Sequence, residues 1–288
     1  MTVREKFAAY FELTKPRITL FIVLIAAAGF FLASTQGFDY FKFIHAMAAI
    51  ALLSSGVATL NQFIERRLDE RMRRTLARPL PSGRIAPHAA LYFGIFLTFI
   101  AEIYLWLAVN PLTSLLGLTV VVGYVCLYTP LKTKTSLSTV IGAFPGAMPP
   151  LMGWTAAADQ LRLEAWVLFA ILFLWQFPHF LAIAWMYRED YERAGIVMLP
   201  VVEAEGRVTG QQIVFYALLL LPVSLFPALL GMTGALYFYG AFVLSLFYLW
   251  SSIRTALSMT NKNARRLLFA SIIYLPVLFI LMVFDSKF

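Results

Sequence analysis

Charge is scarce in this chain. Of its 288 residues only 13% are Asp, Glu, Lys or Arg, against about 25% in ordinary soluble domains. Cysteine is almost absent: the single Cys126 can close no internal disulfide and build no thiolate cluster, which excludes an oxidised scaffold and a Cys-based metal centre. There is no low-complexity tract and no polar stretch long enough for a soluble domain, because 61% of the residues are hydrophobic. The solvent face of a soluble enzyme of this length must be polar, and so much apolar surface could not be hidden. The composition therefore implies one integral-membrane domain over residues 1–288. The net charge of +8 would suggest nucleic acid in a soluble protein; here it fits loops rich in Lys and Arg, and no nucleic-acid partner is expected.

A bilayer-crossing helix needs about 20 mostly apolar residues. Runs of that kind lie near 18–35, 43–63, 88–108, 111–129, 138–156, 164–186, 210–230, 233–253 and 266–284. The expected architecture is all-α: nine transmembrane helices in a bundle, with tight hairpins at Asn110-Pro111 and at Gly231 to Gly234. The N-terminal tail and the loops after the second, fourth, sixth and eighth runs hold 20 of the 23 Lys and Arg residues. That asymmetry places the N-terminus in the cytoplasm and the C-terminus outside. The stretch MTVREKFAAYFELTKPR mixes acids with its bases, unlike a transit peptide, so the expected location is the cytoplasmic (inner) membrane of a bacterium, crossed many times. Two cytoplasmic loops are long enough to carry function, about 64–87 and 187–209.

Asn61, Glu65 and Asp69 follow one another at intervals of four, in NQFIERRLDERMRRTLARPLPSG. On a helix such residues share one face, drifting about 40° per step. Three oxygen-bearing side chains at the end of a span suit a hard divalent cation such as Mg²⁺, which takes few carboxylates plus substrate phosphates. The same pattern also fits a solvated helix end whose acids pair with nearby arginines. Arg74 and Arg78 downstream offer planar forks that grip phosphate. The second loop begins Tyr187, Arg188, Glu189, Asp190, Tyr191. Two acidic clusters on one side of a membrane, if they converge, could hold two metal ions across a diphosphate.

Lys132 and Lys134 could contact phosphate or serve only as positive-inside anchors. Pro145, Pro149 and Pro150, with Gly142, Gly146 and Gly153, interrupt the fifth apolar run. Such breaks survive in lipid only where neighbours, water or a cavity satisfy the freed backbone groups, so this run is expected to line an interior cavity. In WQFPHF, His179 is an expensive intramembrane residue that could ligate iron, relay a proton or simply bond a neighbouring helix. Glu102 is a buried acid with no partner that the sequence names.

Taken together and in order, these motifs resemble the intramembrane UbiA-type prenyltransferases. The residues N-x-x-x-E-x-x-x-D followed by R-T-x-x-R-P-L-P-S-G are similar to that superfamily's first metal-diphosphate motif, with Glu65 standing where Asp is commoner. LTKPRIT, LK-x-K-T with GA-x-PGA-x-PPL-x-GW, WQFPHF and Y-x-x-DY-x-x-AG-x-x-MLPVV resemble its protohaem IX farnesyltransferase branch. The resemblance implies a bundle around a central cavity, farnesyl diphosphate as donor, haem B as acceptor, haem O as product and Mg²⁺ as cofactor, with two ions bridging the diphosphate. It also implies roles. Asn61, Glu65 and Asp69 would hold one metal-diphosphate face, and Glu189 with Asp190 the other. Arg74, Arg78, Lys132, Lys134, Tyr187 and Arg188 would bind substrate, and His179 would contact haem. A complex with a downstream haem-modifying or oxidase-assembly protein is a further expectation. The rival readings are a prenyltransferase acting on an aromatic acceptor such as 4-hydroxybenzoate, and a transporter.

Overall fold

In a computed structural model the described residues, 2–35 and 37–287, form helices and turns, with no strand among them. An amphipathic α1 (Val3–Leu13) starts at a capping box, in which the Thr2 and Glu5 side chains each bond the other's backbone N–H. α2 (Pro16–Ala33) begins with proline, whose fixed φ and missing N–H suit a first helical turn. α3 (Tyr40–Asp69) is 30 residues long, about 45 Å at 1.5 Å per residue, which exceeds the roughly 30 Å hydrocarbon core. It stays helical past the end of its apolar run, so Glu65 and Asp69 stand on a helix although a loop was expected from about residue 64. The Thr75 hydroxyl, donating to the Asp69 carbonyl at 2.8 Å, secures that end.

α4 (Pro87–Ala108) and α5 (Pro111–Val121) form the expected hairpin. The Asn110 side chain accepts from the Thr113 N–H at 2.7 Å, capping α5. α5 continues through a π-helical turn, Val122–Tyr128, into α6 (Thr129–Leu131). The fifth apolar run departs from expectation. It is two short helices, α7 (Ser138–Gly146) and α8 (Met148–Ala158), hinged at Ala147. Eight helices are therefore long and apolar enough to cross a membrane among the described residues, and the interrupted run is not one of them. The break comes from proline: Pro149 and Pro150 cannot donate backward, and Pro145 lies inside α7. Gln176 from WQFPHF braces the hinge, its amide donating to the Ala143 carbonyl at 3.1 Å. Gly146 makes room for it, since a β-carbon there would stand 2.2 Å from the Gln176 Oε1.

α9 (Leu163–Met186), the short α10 (Arg188–Arg193) and α11 (Leu199–Val202), α12 (Arg207–Val223) with α13 (Phe226–Leu229), α14 (Ala235–Leu257) and α15 (Asn261–Phe284) complete the chain. α2 lies along α8 at a distance only small residues allow. A β-carbon on Gly153 would sit 1.8 Å from the Ala26 carbonyl oxygen, and one on Gly29 2.2 Å from that of Pro150. Close backbone approach at small residues is how membrane helices gain packing without a hydrophobic drive. α9 packs on α12 and α15, and α15 returns to touch α2, so the first and last spans close a ring. The protein is thus an all-helical, multi-pass membrane protein, with the ends of α3 and α5/α6 and the α1–α2 turn meeting at one end of the bundle.

Candidate active site

The polar end of α3 looks into a small cavity of about 100 Å³, shared with α2, the π turn and the segments after α3 and α10. Asn61, Glu65 and Asp69 line it and are buried, Asp69 completely. Each meets a different partner from elsewhere in the chain. Lys132, directly after α6, donates from Nζ to the Glu65 Oε1 at 2.5 Å. Arg78 places its Nη1 2.9 and 2.8 Å from the two Asp69 carboxylate oxygens. Lys15 donates from Nζ to the Asn61 Oδ1 at 3.2 Å, and the Asn61 amide donates to the Thr129 hydroxyl at 3.1 Å. The lining thus alternates acid and base. Counting Arg74, which also faces the cavity, four cations surround two carboxylates, so the space is positive and suited to an anion.

Lys15 reaches the site through a strained backbone. Its φ of 47° and ψ of 59° lie in the left-handed region, which non-glycine residues seldom adopt. The Gln62 amide holds the turn from below, donating to the Leu13 carbonyl at 2.7 Å, and the Thr19 hydroxyl bonds the Thr14 carbonyl at 2.9 Å. Burial, with Arg78 adding repulsion, lowers the Lys15 pKa to about 8. Burial would also pull Lys132 down, but the Glu65 carboxylate outweighs it and holds that ammonium well above its ordinary value. The Lys132 ammonium lies 4.3 Å from the centre of the Tyr128 ring, a cation–π contact.

The second acidic cluster divides. Asp190 is buried and adjoins the first site: its carboxylate accepts from the Arg74 backbone N–H at 3.4 Å and is bound by Arg193. Glu189, one residue earlier, is exposed and does not line the cavity. Arg74 is clasped between Tyr187 and Tyr191, 5.1 and 4.8 Å from their ring centres, and donates to the Tyr191 hydroxyl at 2.7 Å. Lys134 is exposed, and Arg188 lies over the Trp185 ring; neither lines the cavity. Sequence reasoning missed Lys15 as a site residue, although LTKPRIT contains it, and missed Tyr124 and Tyr128. Those two tyrosines are four residues apart, and the π turn brings both to the cavity wall.

His179 sits apart, at the junction of α9 and α15. Its ring stacks on Trp175 at 4.7 Å, and Trp175 in turn lies 6.4 Å from Phe21 of α2. The Ser271 hydroxyl donates its one proton to the Leu268 carbonyl at 2.6 Å. Its oxygen therefore accepts from His179 Nδ1 at 2.7 Å, which leaves the lone pair of a neutral ring on Nε2.

The donor set fits Mg²⁺. Among the described residues no group of three or more His, Cys, Asp or Glu stands ready to hold a metal alone. Two carboxylates and an amide oxygen beside a positive cavity match an ion that takes one or two protein carboxylates and completes its shell with substrate phosphates and water.

Membrane-length helices around a buried, positive, acid-lined end make an intramembrane site suited to an anion and a divalent cation together. The chain belongs to the UbiA prenyltransferase family, whose model matches residues 22–273. It is 50% identical over 285 residues to the protoheme IX farnesyltransferase of Solibacter usitatus, covering 96% of this chain and 98% of that one. The Koribacter versatilis protoheme IX farnesyltransferase is 47% identical, over 96% of this chain and 92% of its own. Among solved structures, a digeranylgeranylglyceryl phosphate synthase superposes with a TM-score of 0.82 at 16% identity, covering 98% of both chains. A UbiA homolog from Archaeoglobus fulgidus bound to GPP and Mg²⁺ superposes with a TM-score of 0.66 at 16% identity, over 95% of this chain and 99% of that one.

The Glu65–Lys132 pair carries a stability prediction. Lys132→Met strands a buried carboxylate and is expected to cost about 3–5 kcal/mol, whereas adding Glu65→Gln restores most of it. Thermal melting of the single and double variants in detergent reads the coupling; additive losses would contradict the buried pair.

Proposed function

We propose that this protein transfers a farnesyl group from farnesyl diphosphate to a vinyl carbon of haem B, water completing the product, haem O. The observation that carries the diphosphate half is the convergence of Asn61, Glu65 and Asp69 with Lys15, Arg78 and Lys132 in one buried cavity. The farnesyl and haem halves rest on relatives that share half of this sequence over nearly its whole length. We place the N-terminus and the polar cavity on the cytoplasmic side of a bacterial cytoplasmic membrane and the C-terminus outside, following the Lys and Arg asymmetry.

In this reading the cavity exchanges partners. Lys132, Arg78 and Lys15 turn from Glu65, Asp69 and Asn61 to the diphosphate oxygens, and Arg74 adds a fourth cation from its tyrosine clasp. The freed Asn61, Glu65 and Asp69 would hold one Mg²⁺, and the buried Asp190, which adjoins the site, would be the candidate for a second. When bound, the metal neutralises charge building on the leaving diphosphate. Diphosphate departure leaves an allylic cation. The haem vinyl π electrons form the new carbon–carbon bond, and water adds to the resulting cation and loses a proton. The protein positions the two substrates, stabilises the leaving group and limits water to one addition. His179 Nε2 offers the acceptor a lone pair for haem iron or for a hydrogen bond. A product this apolar remains in the membrane, available to a downstream haem-modifying or oxidase-assembly protein.

The direct test incubates the detergent-solubilised protein with haem B, farnesyl diphosphate and Mg²⁺ and weighs the extracted haems. A species heavier by one farnesyl group and one hydroxyl is expected. Unchanged haem, with diphosphate released when an aromatic acceptor is supplied, would overturn the haem assignment. Asp69→Asn should fold normally yet lose activity by roughly 10²–10³-fold or more.

Lys15 supplies a pH signature. Its ammonium is charged below about pH 8 and neutral above it, so affinity for the anionic donor should fall as pH rises through that value. Since kcat/KM reports the free enzyme, kcat/KM for farnesyl diphosphate should decline by up to about thirtyfold from pH 7 to pH 9.5, as the charged fraction of Lys15 falls. Lys15→Arg should flatten the profile, because arginine stays charged throughout. An unchanged profile in that variant would remove Lys15 from donor binding.

A further inference from the structure

A second cavity, of about 430 Å³, lies along α14 and α15 and shares no lining residue with the acid-lined site. Its upper end holds Arg254, in the last turn of α14, Asn263 and Arg266, both early in α15. Phe247, Trp250 and Phe269 wall the remainder, with Ile273 below. No Asp or Glu occurs from Arg207 through Phe284. The four ion pairs found among the described residues involve neither arginine. Both are exposed, and the Arg254 guanidinium rests 5.1 Å from the Trp250 ring centre.

The hairpin turn is built without those arginines. The Asn263 amide donates to the Ser258 carbonyl at 2.9 Å, Thr260 caps the Asn263 N–H at 3.3 Å, and Thr255 bonds the Asn263 carbonyl at 3.3 Å. The two unpaired cations take no part in the turn's own hydrogen bonds and stand free to meet a ligand. Phe247 precedes Arg254 by seven residues and Ile273 follows Arg266 by seven, so each apolar wall extends about 10 Å below the charges at 1.5 Å per residue. The groove is cationic where a span ends and aromatic or aliphatic within it. A soluble anion would use only its top; a lipid phosphate with its chain would use both parts.

We propose that this groove binds one anionic phospholipid, its phosphate between Arg254 and Arg266 and an acyl chain along Phe247, Trp250, Phe269 and Ile273. Charge complementarity selects the headgroup, and the depth of the apolar wall selects a lipid. The neighbouring Lys262 and Arg265 belong to the same basic loop yet do not line the groove, which separates a built site from general attraction to an anionic surface.

The test is native mass spectrometry of the intact protein in neutral detergent with added phosphatidylglycerol or phosphatidylcholine. One retained phosphatidylglycerol per chain is expected, with phosphatidylcholine at least tenfold weaker. Arg254→Gln combined with Arg266→Gln should lose at least tenfold in phosphatidylglycerol retention, at roughly fivefold per charge. Lys262→Gln combined with Arg265→Gln should remain within about twofold of wild type on the same scale. Should the groove variant melt below wild type in neutral detergent, Arg254→Gln alone gives the same reading with a loss of about fivefold. Equal losses in both pairs, equal retention of the two lipids, or displacement of phosphatidylglycerol by millimolar inorganic phosphate would each overturn the site.

Discussion

A carboxylate buried at the end of a membrane helix must have a cation beside it, and the rest of the site follows from that requirement. Glu65 and Asp69 are shielded from water, so the chain brings Lys132 and Arg78 to them from 67 and 9 residues away. A buried pair of this kind adds little net stability, because desolvation of both ions offsets most of their attraction. Its value is chemical. The same four groups that neutralise one another can neutralise a metal and a diphosphate, provided both arrive together. A metal alone would displace the cations into apolar surroundings, and a diphosphate alone would leave the carboxylates facing phosphate oxygens.

The scaffold serves that exchange. The α3 helix overruns its apolar stretch and projects its acids past the hydrophobic zone. The π turn after α5 brings Tyr124 and Tyr128 to the cavity wall and sets Lys132 at its edge. The Ala147 hinge, braced by Gln176, lets the interrupted fifth run fill the bundle interior where a straight helix could not. Where α9 meets α15, Trp175, Ser271 and His179 form a second polar point with its lone pair on Nε2. The acid-lined cavity and the His179 cluster thus occupy separate places in one ring of helices.

Much of this was legible from residues alone. The membrane class followed from composition. The grouping of Asn61, Glu65 and Asp69 followed from helical spacing, which keeps its meaning even though the helix runs farther than expected. What was not legible depends on tertiary closure. Lys15 counts in the sequence as one more basic residue of the N-terminal tail; only the Gln62–Leu13 bond and the left-handed turn carry it into the site. Glu189 and Asp190 are adjacent and chemically alike, yet about 100° of helix rotation sends one to solvent and buries the other. Tyr124 and Tyr128 read as ordinary interfacial aromatics until the π turn is known. The interrupted fifth run reads as one broken span, because proline marks a break without saying how neighbours absorb it.

We propose that metal and diphosphate enter this cavity as a unit, because opening either ion pair for one of them alone would leave a buried charge unpaired. Electron paramagnetic resonance of Mn²⁺, standing in for Mg²⁺, measures it without catalysis. Weak Mn²⁺ binding to the protein by itself is expected, with tightening of roughly tenfold or more once an unreactive prenyl diphosphate analogue is present, corresponding to a coupling above about 1.4 kcal/mol. Tight Mn²⁺ binding without the analogue, or analogue binding that ignores the metal, would contradict it.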